Sequence, residues 1–290
     1  MSATQPQLAT GVGLALATSL VMSLAAVLIK LTADTLSIEM IVFFQYLLCT
    51  CAMLPWVLKR GIRCLATPRP FLHLLRGTCG WACFYTYYLA LEQIPLVDAA
   101  LLRNAAPLCV PIWLLLWHGA RLPLLAWGPL LTGFAGIALI IQPEGVGLSG
   151  WHLVGVLSAL TLAGSIVTTR ALAQTEPTNR ILFYYFLIST LASTPLALFN
   201  WRTPEPAALP LVALIALSIW ITMWLYTRAY SHAPASIISP LSYFGVVMTG
   251  VWGWMIWDQV PDIKSLSGTL LVIIGGITSV WLGAKLQSRH

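Results

Sequence analysis

The stretch 98-DAALLRNAAPLCVPIWLLL-116 is typical of an apolar membrane helix that carries one permanent charge. Arg103 lies inside it beside Asn104, roughly 12 Å from the helix end at a rise of 1.5 Å per residue. Placing a guanidinium at this depth costs at least about 2.5 kcal/mol. Pro107 lacks the amide that would bond the Arg103 carbonyl, so the backbone is also locally freed. The stretch therefore predicts a membrane helix with a functional polar face.

The composition of the whole chain agrees with a lipid environment. Of its 290 residues, 59% are hydrophobic and 8% are charged, and the mean hydropathy is +0.85. Soluble domains carry about 25% charged residues, so this chain has too little polar surface for a globule in water. The net charge of +6 does not indicate nucleic-acid binding, because most Lys and Arg residues lie in short loops between apolar runs. We expect an integral membrane protein that contacts the bilayer and no nucleic acid.

Ten segments have the length and apolarity of a membrane helix, which needs about 20 residues. Turns that contain Pro or Gly separate them, as at 142-QPEGVG-147 and 203-TPEP-206. The predicted spans are 9–31, 38–58, 71–92, 96–117, 123–142, 151–172, 181–199, 208–231, 235–257 and 264–286.

Loop charge predicts the orientation of these spans. With both termini in the cytoplasm, eleven Lys and Arg residues fall on the inner side and three on the outer side, and Arg103 lies within the bilayer. Positive residues favour cytoplasmic loops. We therefore expect a multi-pass protein of the inner membrane with cytoplasmic N- and C-termini.

The two halves of the chain resemble each other weakly. When 84–113 is aligned with 223–252 by a shift of 139 residues, Tyr87 meets Tyr226 and Trp113 meets Trp252. The repeat is five helices long, and an odd number makes the second copy enter the membrane upside down. The predicted fold is all-α, with ten transmembrane helices as two inverted five-helix repeats, 1–146 and 147–290. Inverted repeats are typical of secondary transporters, whose substrate sites lie near the bilayer midplane.

Two segments carry a resemblance to a known family. These are 90-ALEQIPLVDAALLRNAAPLCVPIWLLL-116 and 229-AYSHAPASIISPLSYFGVVMTGVWGWMIWDQVP-261. They resemble a pattern of the drug/metabolite transporter superfamily, in particular its EamA-type members, over nearly the whole chain. The acid that follows this pattern in the family corresponds to Asp258, whereas Gly119 takes its place in the first half. The resemblance implies a transporter of small organic solutes that exports or exchanges them, without implying one substrate.

Arg103 allows three interpretations. It could contact a substrate, pair with Asp98 or Glu92 as a structural ion pair, or extend its head group outward. In the first case the substrate carries a carboxylate or phosphate, because a guanidinium matches these groups with two hydrogen bonds. Asn104 could line the same cavity or join helices.

Aromatic residues form a second group of candidates. Trp81, Tyr85 and Tyr88 share one helix face by their spacing, and they could stack on an aromatic substrate or simply pack. Ser242 and Tyr243 are the counterparts of Arg103 and Asn104 in the second half. The candidate substrate-binding residues are Arg103, Asn104, Tyr85, Trp81, Tyr88, Trp224, Trp220, Tyr243 and Ser242.

Other functions find less support in the sequence. An intramembrane lipid-modifying enzyme is the alternative, but it would need clustered catalytic residues, and the five histidines are scattered. We expect no catalytic residue, no metal site and no cofactor. The six cysteines are expected to be small packing residues. Glycines in 128–136 and 268–283 allow close helix packing, which could join the two halves or form a homodimer.

Overall fold

A computed structural model describes residues 5–33, 35–118, 127–141, 150–173, 175–201, 203–206, 208–232, 235–259 and 262–287; some side chains within these ranges lie outside the description. These residues form α-helices and one short 3₁₀-helix, Ile62–Leu65, and contain no strand. The α-helices are α1 (Gln5–Ala33), α2 (Ile38–Arg60), α3 (Pro70–Gln93), α4 (Leu96–Asn104), α5 (Ala106–His118), α6 (Trp127–Ile141), α7 (Gly150–Ala173), α8 (Thr178–Phe199), α9 (Ala208–His232), α10 (Ala235–Trp257) and α11 (Ile263–Gln287).

Each span predicted from the sequence overlaps a helix, and the fourth overlaps two. Helices α4 and α5 meet at Ala105, one residue after Asn104. The Ala105 amide donates to the carbonyls of Leu101 and Leu102, as in a tightened last turn. Pro107 cannot bond the Arg103 carbonyl, which accounts for a break at this position.

Five helices among the described residues are long and apolar enough to cross a membrane: 9–33, 38–60, 150–173, 178–199 and 208–229. The chain is thus a multi-pass membrane protein. Helix α3 has comparable length, but its sequence includes His73, Arg76 and Glu92. The number of spans stays a prediction.

Helix packing follows a paired pattern across the two halves. Helix α3 packs against α7, and correspondingly α9 packs against α1. Helices α4 and α5 pack against α7, as α10 packs against α1. Three further contacts join counterparts directly: α2 with α8, α4 with α10 and α6 with α11. Helix α7 therefore packs against α3, α4 and α5, and α1 packs against α9 and α10.

Individual residues repeat this pattern. The hydroxyls of Tyr46 and Tyr185, which lie 139 residues apart, are within 2.8 Å of each other. The indole N–H of Trp113 donates to the Leu160 carbonyl at 2.8 Å, and that of Trp252 donates to Ser23 Oγ at 3.2 Å. Both tryptophans thus bond to the first helix of the opposite half.

Glycines bring α6 and α11 into backbone contact. A Cβ atom added to Gly136 would lie 2.6 Å from the Gly268 carbonyl oxygen, and one added to Gly275 would lie 2.7 Å from the Gly133 nitrogen. Only residues without a side chain permit this approach. The glycine-rich segments join the two halves within one chain, and the homodimer stays a prediction.

Candidate functional site

A cavity of about 130 Å³ lies between the two halves near the middle of the helices. Helices α1, α3, α4, α5, α7, α8, α9 and α10 contribute to its wall. The polar and aromatic lining residues are Thr18, Ser19, Ser23, Arg76, Cys83, Phe84, Tyr87, Arg103, Asn104, Ser165, Thr169, Tyr185, Thr222, Tyr226, Ser242 and Thr249. None of the described lining residues is Asp or Glu. The wall therefore combines positive charge, hydroxyl groups and aromatic rings.

Arg103 reaches this cavity from the last turn of α4. Its guanidinium carbon lies 5.0 Å from the ring centre of Tyr87 and 5.1 Å from that of Phe84, which are cation–π distances. The Nε atom is buried and has no hydrogen-bond partner. Arg103 forms no ion pair with Asp98, Glu92 or any other carboxylate in the described part of the chain. Its charge is held against aromatic faces and beside the Cys83 thiol, and no acid among the described residues pairs with it.

Arg76 is a second cation in the cavity, although the loop-charge prediction counts it among the eleven basic residues of the inner side. It lies in the second turn of α3 and is only 5% exposed. Its guanidinium carbon stacks 4.1 Å from the ring centre of Tyr185, and both Nε and Nη1 are buried without partners. Its distance from the helix start could have indicated that Arg76 lies inside the helix bundle, because it comes six residues after Pro70, the first residue of α3.

The structure places three of the predicted site residues on the cavity: Arg103, Asn104 and Ser242. The Asn104 amide donates to the Ala100 carbonyl at 2.8 Å, so part of its hydrogen-bonding capacity is used within α4. Tyr243 follows Ser242 in α10, and its side chain lies outside the described residues.

The predicted aromatic face of α3 packs away from the cavity. The rings of Trp81 and Tyr85 stack on each other at 5.6 Å, and the Tyr85 hydroxyl donates to Glu39 Oε1 at 3.2 Å. The Tyr88 hydroxyl donates to Gln45 Oε1 at 2.6 Å in the interior. None of the three belongs to the cavity lining. They join α3 to α2.

The two predicted tryptophans of α9 also lie off the cavity lining. Trp224 is 37% exposed, and Arg228 stacks on it at 5.3 Å. Trp220 packs against the core with its indole nitrogen buried. Tyr226 and Thr222 of the same helix line the cavity instead, so the cavity face of α9 is rotated relative to the predicted one.

On α3 the cavity face is the stripe Arg76, Gly80, Cys83 and Tyr87, with Phe84 beside it. These residues follow one another at helical spacings of four, three and four. Both faces of the helix carry aromatic residues, so aromatic content alone did not distinguish them. The charged residue at one end of the stripe was the usable signal.

Hydrogen bonds join the two halves at the end of the bundle that holds the α2–α3 loop. Glu176 accepts hydrogen bonds from Thr67 Oγ1 at 2.7 Å and from Arg180 at 2.5 Å. Arg180 Nε donates to the Cys64 carbonyl, and the Tyr184 hydroxyl to that of Leu65. We call Thr67, Glu176 and Arg180 the loop cluster.

The Glu176 carboxyl in the loop cluster is buried. Burial raises its pKa, but the hydrogen bonds from Thr67 and Arg180 outweigh burial and lower the pKa below its ordinary value. The carboxylate form is therefore favoured in the folded protein.

The opposite end of the bundle is joined by different contacts. The Leu96 amide donates to Gln259 Oε1 of the second half at 3.1 Å. Lys30 Nζ donates to the carbonyls of Leu91 and Ile94 and lies 5.7 Å from the ring centre of Trp257. The cavity thus lies between two sets of contacts that connect the halves.

Metal-binding chemistry finds no support in the described residues, where no three His, Cys, Asp or Glu side chains cluster. All six cysteines are free, and Cys49, Cys79, Cys83 and Cys109 are buried, as expected for small packing residues.

Comparison with known sequences identifies relatives over most of the chain. Residues 9–142 and 149–281 each match the EamA-like transporter family. The pseudopaline exporter CntI of Pseudomonas aeruginosa is 32% identical over 275 residues, which cover 93% of this chain and 95% of that protein. The S-adenosylmethionine uptake transporter of Rickettsia felis is 24% identical over 280 residues, 97% of this chain and 95% of that protein.

A more distant relative and a solved structure extend these matches. The riboflavin transporter of Rhizobium johnstonii is 25% identical over 232 residues, which cover 80% of this chain and 77% of that protein. A crystal structure of a protein that is 19% identical superposes with a TM-score of 0.63 and covers 97% of this chain and 99% of that chain. At this identity the superposition shows a shared fold.

Proposed function

Because the chain belongs to the EamA-like transporter family, whose members here are membrane transporters and not enzymes, we propose that it is a secondary-active transporter of a small anionic metabolite. The substrate carries a carboxylate or phosphate, and an aromatic group is compatible with the rings around the cavity. The protein exports this substrate or exchanges it for another solute.

The guanidinium of Arg103 is the observation that carries this proposal. Its Nε atom is buried at the cavity, and the guanidinium has no carboxylate partner in the part of the chain that the structure describes. An unpaired charge away from water is costly unless something compensates it. A passing anion supplies that compensation, since a carboxylate or phosphate accepts two parallel hydrogen bonds from the guanidinium fork.

Alternating access between two inverted five-helix halves, 1–146 and 147–290, is the mechanism that we propose. The paired packing of the helices, the Tyr46–Tyr185 contact and the two family matches support these halves. Contacts between the halves at each end of the bundle would open in alternation. With the N- and C-termini in the cytoplasm of an inner-membrane protein, the loop cluster would face the cytoplasm.

The relatives' names support transport of small metabolites without fixing direction or substrate. One relative is an exporter and another an uptake transporter, although both align with nearly the whole chain. We therefore argue the substrate class from the charge of the cavity.

Ligand-dependent stabilisation followed by transport tests the proposal. The purified chain in detergent is heated with members of a panel of carboxylate- and phosphate-bearing metabolites, because a ligand that binds the folded state raises the unfolding temperature. Each stabilising compound is then followed by radioactive counterflow in proteoliposomes. We expect at least one anion to be stabilising and transported, and Arg103→Gln to abolish both effects.

Arg63→Gln is the matched control, because Arg63 is an exposed arginine outside the α-helices. It removes the same charge and should leave binding and counterflow unchanged. Transport that survives Arg103→Gln, or stabilisation by cations and neutral solutes alone, would contradict the proposed anion site.

A further inference from the structure

The cavity holds a second guanidinium that, like that of Arg103, has no carboxylate partner among the described residues. Arg76 lines the cavity opposite no described carboxylate, and its Nε and Nη1 atoms are buried without partners. Tyr185 supports the guanidinium from one side, and the hydroxyl of Tyr185 is in turn fixed by Tyr46 at 2.8 Å. Arg76 is therefore held in place by an aromatic face while its Nε and Nη1 donors remain unused.

Gly80 makes room for this arrangement. A Cβ atom at Gly80 would overlap Arg76 Nη1 and would lie 2.5 Å from Tyr185 Cε2. The guanidinium thus lies directly against the backbone one turn further along α3. Any larger residue at this position would displace Arg76 or Tyr185.

The two guanidinium groups contact different levels of α3. Arg76 lies against Gly80, whereas Arg103 lies over Phe84 and Tyr87. The levels are four to seven residues apart, which at 1.5 Å per residue is about 6–10 Å along the helix. At that separation each guanidinium can hold its own anionic group, whereas one small anion bridges both only at the short end of the range.

We propose that the cavity binds a metabolite with two anionic groups about 6–10 Å apart, Arg103 holding one and Arg76 the other. This inference rests on the proposed transport function and specifies its substrate class. Two like charges in one cavity repel each other, so two anionic groups compensate them better than one monoanionic group. Thr222, whose hydroxyl is also buried at the cavity without a partner, offers a further polar contact for the substrate.

Binding of straight-chain diacids measures the spacing directly. The purified chain in detergent is titrated with dicarboxylates from succinate to sebacate, with the monocarboxylate of each chain length, and with analogues in which a phosphonate replaces one carboxylate. Apparent affinities are read from the shift of the unfolding temperature. We expect an optimum at intermediate length, where the diacid binds about 10- to 100-fold more tightly than its monoacid, as one charge-assisted contact provides. The phosphonate arm shows which acidic group each arginine prefers.

Variants assign the second contact to Arg76. Arg76→Met should remove the preference for diacids, so that each diacid binds only as well as its monoacid, and Arg63→Met should leave it intact. If Arg76→Met yields no folded protein, Arg76→Lys serves instead: it keeps the charge, loses the planar fork, and should weaken the diacid without changing the monoacid.

The outcomes separate this inference from the function on which it rests. Equal binding of mono- and diacids that Arg103→Met abolishes would overturn the second subsite and leave a one-anion transporter. A diacid preference that persists in Arg76→Met would overturn the role of Arg76. Absence of binding by every anion in the series would overturn the inference, whereas counterflow of another anion would still support the proposed function.

Discussion

Arginine occurs in two contrasting settings in this protein. In the loop cluster, Arg180 forms an ion pair with Glu176 of the same half. The Glu176 carboxylate also accepts a hydrogen bond from Thr67 of the other half. In the cavity, Arg76 and Arg103 have aromatic rings beside them but no carboxylate among the described residues. The first setting is complete without any ligand. The second is incomplete, and this difference separates a structural ion pair from a binding site.

The contrast predicts opposite effects on stability, and the largest belongs to the loop cluster. Glu176→Gln removes a buried charge that accepts two hydrogen bonds, and hydrogen bonds to charged groups contribute about 1.5–3 kcal/mol. We expect the free energy of unfolding to fall by about 2 kcal/mol, measured by denaturant titration in detergent micelles. Glu205→Gln, which changes an exposed acid, is the control. An unchanged free energy of unfolding would mean that the Glu176 charge contributes no more to stability than that of a surface acid.

The cavity arginines should behave in the opposite way when no ligand is present. Arg103→Met replaces a half-buried cation that has no described carboxylate partner with an apolar side chain of similar length; replacing whole buried ion pairs by apolar residues stabilises by about 1–4 kcal/mol. We expect the lower end of that range, about 1 kcal/mol, because stacking on Phe84 and Tyr87 is lost. The same titration, with Arg63→Met as reference, measures it. A loss of stability would show that Arg103 is already satisfied within the protein.

Acidification should lower the free energy of unfolding through the loop cluster and leave the contribution of the cavity arginines unchanged. The pKa of Glu176 is lowered from its ordinary value of 4.5, so its contribution is fully present above about pH 4.5 and is lost as the pH falls through the lower pKa of the folded state. Arg180 and Thr67 contact the carboxylate and do not titrate in this range, whereas His73, whose charge also acts on the carboxylate, can gain a proton here.

The measurement compares the free energy of unfolding of wild type with that of Glu176→Gln between about pH 6 and pH 3, because carboxylates titrate in roughly this range. The stability difference between the two proteins should shrink toward the acid end, because protonation abolishes the charge that only the wild type carries. In contrast, the difference between wild type and Arg103→Met should change little over the same range. A constant difference for Glu176→Gln would contradict a titrating ion pair.

The sequence predicted the positions of the helices better than their rotation. Long apolar segments and Pro- or Gly-containing turns located the helices, and Pro107 pointed to the break next to Arg103. Hydropathy does not determine which face of an apolar helix meets a cavity, so Trp81, Tyr85 and Tyr88 were chosen on α3 instead of Phe84 and Tyr87. Arg76 was missed because it follows a loop rich in basic residues, and loop charge and cavity charge look alike in one sequence. Only the packing of α3 against α7 and α8 separates them.

The last prediction concerns the contact that joins the two halves in the loop cluster. Thr67→Val removes the hydroxyl that donates to Glu176 at 2.7 Å and accepts from the Arg69 amide at 3.0 Å. Arg180 still pairs with Glu176, so we expect a loss of only about 1 kcal/mol, the net value of an ordinary hydrogen bond. Thr67→Ser, which keeps the hydroxyl, should restore most of it in the same titration. If Thr67→Val instead costs as much as Glu176→Gln, the carboxylate depends on the contact between the halves more than on its ion pair, and the loop cluster acts chiefly as a clasp between the halves.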